Sequence, residues 1–150
     1  MASIKNHKST DVTKLLLVGD SGSGKTAPLS ALANAGYNLR ILDYDDGLAI
    51  LPEFLSADAI NRVSYVTLKD PIGRADSFRK GVTLISNWKD EQEDFGPVSK
   101  WTSKDVLVID SLTLMGEAAL RGALVFNNKK PTDQASQPEW GTAARDVQHI

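Results

Sequence analysis

Gly19, Gly24, Lys25 and Thr26 are the residues from which the chemistry of this chain can be read. Gly19 is followed by Asp20, Ser21, Gly22 and Ser23, then by Gly24, Lys25 and Thr26, which is the full spacing of a phosphate-binding loop. Gly19, Gly22 and Gly24 allow backbone conformations closed to residues with a Cβ, so that successive N–H groups turn inward and form a nest for an anion. A helix starting at about Gly24 adds the positive end of its dipole. Lys25 is suited to place an ammonium between the β- and γ-phosphates of a nucleotide, and the Thr26 hydroxyl to ligate Mg²⁺. The competing account is a Gly/Ser-rich turn with a solvated lysine.

Two carboxylate positions complete the set. Asp43, Asp45 and Asp46 stand before Gly47, at the end of an apolar segment. A carboxylate at a strand end facing a nucleotide can orient and deprotonate the attacking water, whereas the same residues could simply cap the next helix and solvate a turn. Further on, Asp105 to Asp110 reads DVLVID, an apolar strand ending in a carboxylate. This is the Walker B pattern, in which Asp110 holds Mg²⁺ through its water shell. Four apolar residues and an aspartate are common by chance, but after a complete phosphate loop they are its expected partner.

These residues need elements to hold them. Leu15 to Val18 is a run of apolar residues entering Gly19, as a buried parallel strand should. Ala27 to Ala35 predicts a helix stopped by Gly36, with Pro28 tolerated in its first turn. Tyr37 to Leu42 and Arg62 to Leu68 predict strands, with a short helix over Leu48 to Leu55 between them. Phe78, Val82, Ile85 and Trp88 mark one face of a helix over Arg74 to Trp88. Lys89 to Lys104 is charged and turn-rich and predicts a surface loop that Trp101 anchors. Ser111 can cap a largely buried helix from Leu112 to Phe126. A polar segment, 127–138, carries Lys129 and Lys130, and another helix opens at Glu139.

The chain has 150 residues, 41% of them hydrophobic, a net charge of −2 and no cysteine. That composition suits one domain and excludes disulfides, thiol nucleophiles and zinc–thiolate sites. The acidic balance means that any contact with nucleic acid must come from a local patch. No apolar run approaches the ~20 residues of a membrane span. Residues 1–13 are polar, lack the apolar centre of a signal peptide and predict a flexible tail; a cytoplasmic setting fits. His7 and His149 carry no chemistry in this reading.

The order of these motifs resembles the RecA-type ATPase core, an AAA/RecA-type P-loop nucleotide-binding fold, over residues 14–150. GDSGSGKT at 19–26, NLRILDYDDGL at 38–48, VLVIDSLTLM at 106–115 and QPEWG at 137–141 are similar to a family of RecA-like proteins of tailed phages, some of which act in single-strand annealing or recombination. The resemblance implies an α/β fold with a parallel sheet flanked by helices, ATP and Mg²⁺ as ligands, and Asp45 as the water-activating carboxylate, where the family usually has glutamate. It further implies that 127–138 and the helix opening after it take the place of the first DNA-binding loop, so that Lys129 and Lys130 would contact single-stranded DNA. Assembly into a homo-oligomer with ATP at subunit interfaces follows too, with an arginine supplied by a neighbour: Arg121, Arg145 or one beyond the sequence. In such folds a further strand lies between the phosphate-loop strand and the Walker B strand. No such strand is found here, so these residues are expected to be the front part of a longer protein. The competing arrangement, direct pairing of the two strands, belongs to kinase-type folds, but residues 89–104 hold no arginine for a kinase lid. A nucleotide-dependent switch or DNA-packaging accessory is the other functional expectation.

Overall fold

The computed structural model of the chain describes residues 13–20, 22–89 and 93–150. Of the expected tail over residues 1–13, residues 1–12 lie outside the described residues, as does Ser21 of the glycine-rich loop. The element order is α1 (Ala27–Asn34), β1 (Asn38–Asp43), a 3₁₀ helix (Leu48–Phe54), α2 (Ala57–Ile60), β2 (Val63–Thr67), α3 (Ser77–Ser86), β3 (Trp88–Lys89), β4 (Asp94–Gly96), a 3₁₀ turn (Val98–Lys100), β5 (Asp105–Asp110), α4 (Leu112–Phe126) and α5 (Gln137–Gln148). The chain is α/β: β2, β1 and β5 form a parallel sheet in that order, and helices cover both of its faces.

The central strand organises the core. Leu39 of β1 stands beside Val63 of β2 and Val106 of β5, and Asp43 stands beside Thr67 and Asp110. Because strand side chains alternate, Leu39 and Ile41 point to one face, where they pack with Leu29 and Ala33 of α1, Leu51 and Val108. Leu42 points to the other face, with Leu84, Trp88, Met115 and Ala118. Leu39, Ile41 and Leu42 are fully buried, and each such side chain contributes about 1.5–3 kcal/mol.

Beside the sheet, β3 and β4 pair antiparallel, so part of the segment expected to be a loop is ordered as strand. Trp101 is its anchor: the ring lies 5.8 Å from that of Trp88, and Nε1 donates to the Phe95 carbonyl at 3.1 Å. The guanidinium of Arg40 sits 3.6 Å over the Phe95 ring, which covers a buried cation with a π face.

Three expectations need correction. Leu15 to Val18 forms no strand; Leu15 and Val18 are 78% and 86% exposed. A strand exists only where a neighbour takes its backbone bonds, and a cavity of about 480 Å³, lined by Leu15, Leu16 and Leu17 on one side and Val106 to Asp110 on the other, separates this segment from β5. The direct pairing of a kinase-type arrangement is therefore not observed either. In α3 the buried face is Ser77, Gly81 and Leu84, with Phe78 and Ile85 only partly buried at its margin. Helix α4 buries Met115, Ala118, Ala119, Ala123 and Leu124, but Leu112 is exposed and Phe126 is 82% exposed, so its ends are not core.

Candidate functional site

The alternation that builds the core also places the carboxylates. Asp43 shares its face of β1 with Leu39 and Ile41, and Asp110 shares its face of β5 with Val106 and Val108, which is the side where α1 packs. The glycine-rich loop, residues 19–26, leads directly into α1, and Asp110 arrives beside its end. Thr26 Oγ1 donates to Asp110 Oδ2 at 3.2 Å, joining positions 84 residues apart.

The loop itself is built from local backbone preferences. Gly22 and Gly24 have φ of 76° and 82°, a region that penalises a Cβ. The Ser23 N–H donates to the Asp20 carbonyl at 3.2 Å, closing the turn. At Gly19 the constraint is proximity, because a Cβ there would stand 2.5 Å from Ser23 Oγ. Lys25 Nζ donates to the carbonyls of Gly19 at 2.8 Å and Asp20 at 2.6 Å, so the ammonium is folded back over the loop. α1 carries no acidic residue in its own first turn; the carboxylate at its dipole end is that of Asp110, against the N-cap residue Thr26.

Asp110 has its carboxyl pushed above the usual range, first by burial and then by the nearby Asp45 charge; the Thr26 hydroxyl and Lys25 pull the other way. Asp43 is also raised, first by burial and further by the charge and side-chain contact of Asp45, against the backbone donors Gly47 and Asp46. Its Oδ1 accepts from the Asp46 N–H at 2.8 Å and the Gly47 N–H at 3.3 Å. Asp45, by contrast, is exposed on the turn between them. The three aspartates thus divide into a buried turn-holder, an exposed carboxylate and, in Asp46, a residue with φ of 62° whose side chain pairs with Lys69 at 3.7 Å.

Two oxygen donors, the Thr26 hydroxyl and the Asp110 carboxylate, stand together in this arrangement. Hard oxygen ligands of this kind fit Mg²⁺, which takes one or two protein oxygens and completes its shell with water and phosphate. A cavity of about 630 Å³ is lined by Asp45 together with Lys69, Arg74, Glu117, Arg121 and Thr132, among others. Arg121 pairs with Glu117 at 3.7 Å, and Arg145 lies on α5, where it contacts Thr142 at 3.4 Å.

The basic pair of the 127–138 segment is split. Lys129 Nζ lies 3.0 Å from Glu139 Oε1, and Glu139 is 2% exposed. Glu139 also accepts from Asn127 Nδ2 at 2.7 Å and from the backbone and hydroxyl of Ser136. Lys129 therefore belongs to a clasp that ties the end of α4 to the start of α5, while Lys130 forms no ion pair among the described residues. The sequence reading missed this clasp, although Ser136 three residues before Glu139 is a capping-box signal that could have found it.

No protein-family model, no curated protein and no solved structure matches the chain. Among the described residues no helix is long and apolar enough to cross a membrane.

Proposed function

We propose that this chain binds ATP with Mg²⁺ and hydrolyses it as a RecA-like P-loop core coupled to single-stranded DNA. The observation that carries the reading is the 3.2 Å contact between Thr26 and Asp110, with Asp45 close enough to raise the Asp110 carboxyl. A residue pair that nothing in local sequence brings together meets where the phosphate loop, the strand-end carboxylate and the helix dipole converge. The strand order β2-β1-β5 also supports it, since the Walker B strand lies beside the strand that leads to Asp45.

In this reading the phosphate oxygens replace the Gly19 and Asp20 carbonyls as acceptors for Lys25, while the loop N–H groups and the start of α1 take the remaining charge. Bound Mg²⁺ supplies neutralisation of the developing negative charge; Thr26 and Asp110 would hold it. Asp45 orients the water, and its exposure leaves it accessible to a substrate from the solvent side. Arg121 and Arg145 remain the candidates for an arginine acting across a subunit interface of a homo-oligomer.

One observation favours a second reading. Lys129 is neutralised by Glu139, which weakens the basic patch and suits a nucleotide-dependent switch or packaging accessory that turns over without DNA. Measuring ATP hydrolysis with and without single-stranded DNA over a salt series separates the two. Stimulation that fades as salt rises supports the DNA-coupled reading. Hydrolysis indifferent to DNA moves the function to the switch, and no ATP binding at all refutes both.

A further inference from the structure

On the reading of Asp45 as the water-orienting carboxylate, we propose that Asp43 and Gly47 are its positioning residues, fixing where the Asp45 carboxylate stands without touching the nucleotide or the water. Asp43 is 1% exposed at the end of the central strand. Its main chain is tied to one neighbouring strand end through the Leu68 N–H, 2.7 Å from the Asp43 carbonyl, and the adjacent Tyr44 N–H is tied to the other through the Asp110 carbonyl at 2.6 Å. The side chain then holds the turn. Oδ1 accepts from the Asp46 N–H at 2.8 Å and the Gly47 N–H at 3.3 Å, and Oδ2 faces the Thr67 hydroxyl at 3.5 Å. An aspartate accepting backbone N–H groups a few residues on is a compact way to fix a turn. Asp45 sits inside that turn, between the anchoring carboxylate and the two amides it binds.

Gly47 acts from the other end. A Cβ at Gly47 would stand 2.7 Å from Asp45 Oδ1 and 3.3 Å from its Cγ, so the carboxylate occupies space that only glycine leaves open. Asp45 is exposed and can rotate away from an added methyl group. Gly47→Ala should therefore move the carboxylate while leaving the fold intact. A displacement near 1 Å at a reacting group can cost about 100-fold in rate.

The test compares the wild type with Asp43→Asn, Asp43→Ala, Gly47→Ala and Asp45→Ala. Four quantities are read: ATP affinity, single-turnover hydrolysis, thermal midpoint, and hydrogen exchange of the Asp46 and Gly47 amides. Asparagine keeps an acceptor oxygen at Oδ1 and can donate to the Thr67 hydroxyl, so Asp43→Asn should hydrolyse within about 3-fold of wild type and keep both amides protected. Asp43→Ala should lose about 10- to 100-fold in rate, with faster exchange at both amides. Gly47→Ala should lose a similar factor with an unchanged thermal midpoint, and ATP affinity should stay within about 3-fold throughout because the phosphate loop is untouched. Wild-type rates in both Asp43→Ala and Gly47→Ala, beside an inactive Asp45→Ala, overturn the positioning role alone. Loss in Asp43→Asn equal to that in Asp43→Ala overturns it as well, since charge rather than turn geometry would then matter. A wild type without turnover, or an Asp45→Ala as active as wild type, overturns the reading of Asp45 and the positioning role with it.

Discussion

Gly81→Ala offers a test of the packing that needs no nucleotide. In an exposed helix interior this change ordinarily stabilises by about 1 kcal/mol, because alanine restricts the unfolded chain and favours the helix. Gly81, however, lies on the buried face of α3, and a Cβ there would overlap the hydroxyl of Tyr44 and stand 3.2 Å from Leu68 Cδ1 and 3.3 Å from Tyr44 Cζ. Tyr44 and Leu68 are both buried, so neither can swing into solvent. Overpacking a tight core costs about 1–3 kcal/mol, which leaves a net loss of about 0–2 kcal/mol after the helix gain of about 1 kcal/mol. For a domain of this size that is a drop of up to about 8 °C in Tm. The Tyr44 hydroxyl is buried without a hydrogen-bond partner, so Tyr44→Phe should itself be neutral or stabilising by about 1 kcal/mol. Removing the hydroxyl removes the worst overlap, and in the Tyr44→Phe background Gly81→Ala should become neutral or favourable. The double-mutant cycle, read by urea unfolding, should give a coupling of at least about 1 kcal/mol. Stabilisation by Gly81→Ala alone, or additivity of the two changes, would refute the account of how Tyr44 is seated.

Other perturbations bear on the candidate site. Lys25→Ala removes a charged donor from a phosphate and should weaken ATP binding by about 1.5–3 kcal/mol, roughly 10- to 150-fold, in a calorimetric titration; unchanged affinity would return the loop to an ordinary turn. Asp110→Asn should raise the Tm of the nucleotide-free protein by about 1–4 °C, because it removes a charge disfavoured first by burial and then by the Asp45 carboxylate, a relief of order ~0.5–1 kcal/mol, while weakening the Mg²⁺ dependence of nucleotide binding. Glu139 has its carboxyl held well below its ordinary value of 4.5, first by the Ser136 hydroxyl, then by Asn127 and the Ser136 backbone, and by Lys129. A depressed carboxyl stabilises the fold fully above its unfolded value and loses that contribution progressively as pH falls from there through the folded value. Glu139→Gln should accordingly lower Tm at neutral pH and narrow the gap to wild type in acid melts, and a gap independent of pH would show that the clasp does not depend on the charge.

Much of the fold is legible in the residues themselves. The 3.6-residue periodicity and the Ser111 cap locate α4 at Leu112–Phe126 as expected, and short runs of apolar or β-branched residues locate β1, β2 and β5 to within a residue or so. Local spacing also nominated Thr26 and Asp110, because a nest of glycines and an apolar strand ending in a carboxylate are properties of short segments. What spacing could not decide is which neighbours complete an element. Leu15 to Val18 has every local mark of a buried strand, yet strand formation depends on a partner edge, and a cavity separates this segment from β5. The same holds for Lys129, which reads as a free cation until the return of α5 brings Glu139 to within 3.0 Å. Asp43, Asp45 and Asp46 are equivalent as letters; the pairing of β1 between its two neighbours buries the first, and the turn that Asp43 then holds leaves the other two exposed. The sequence by itself determined which residues could bind phosphate and where the chain can form helix or strand, since those rest on local backbone chemistry. Tertiary structure alone decided which of them meet, because contacts between distant residues depend on pairing and burial that no short segment contains.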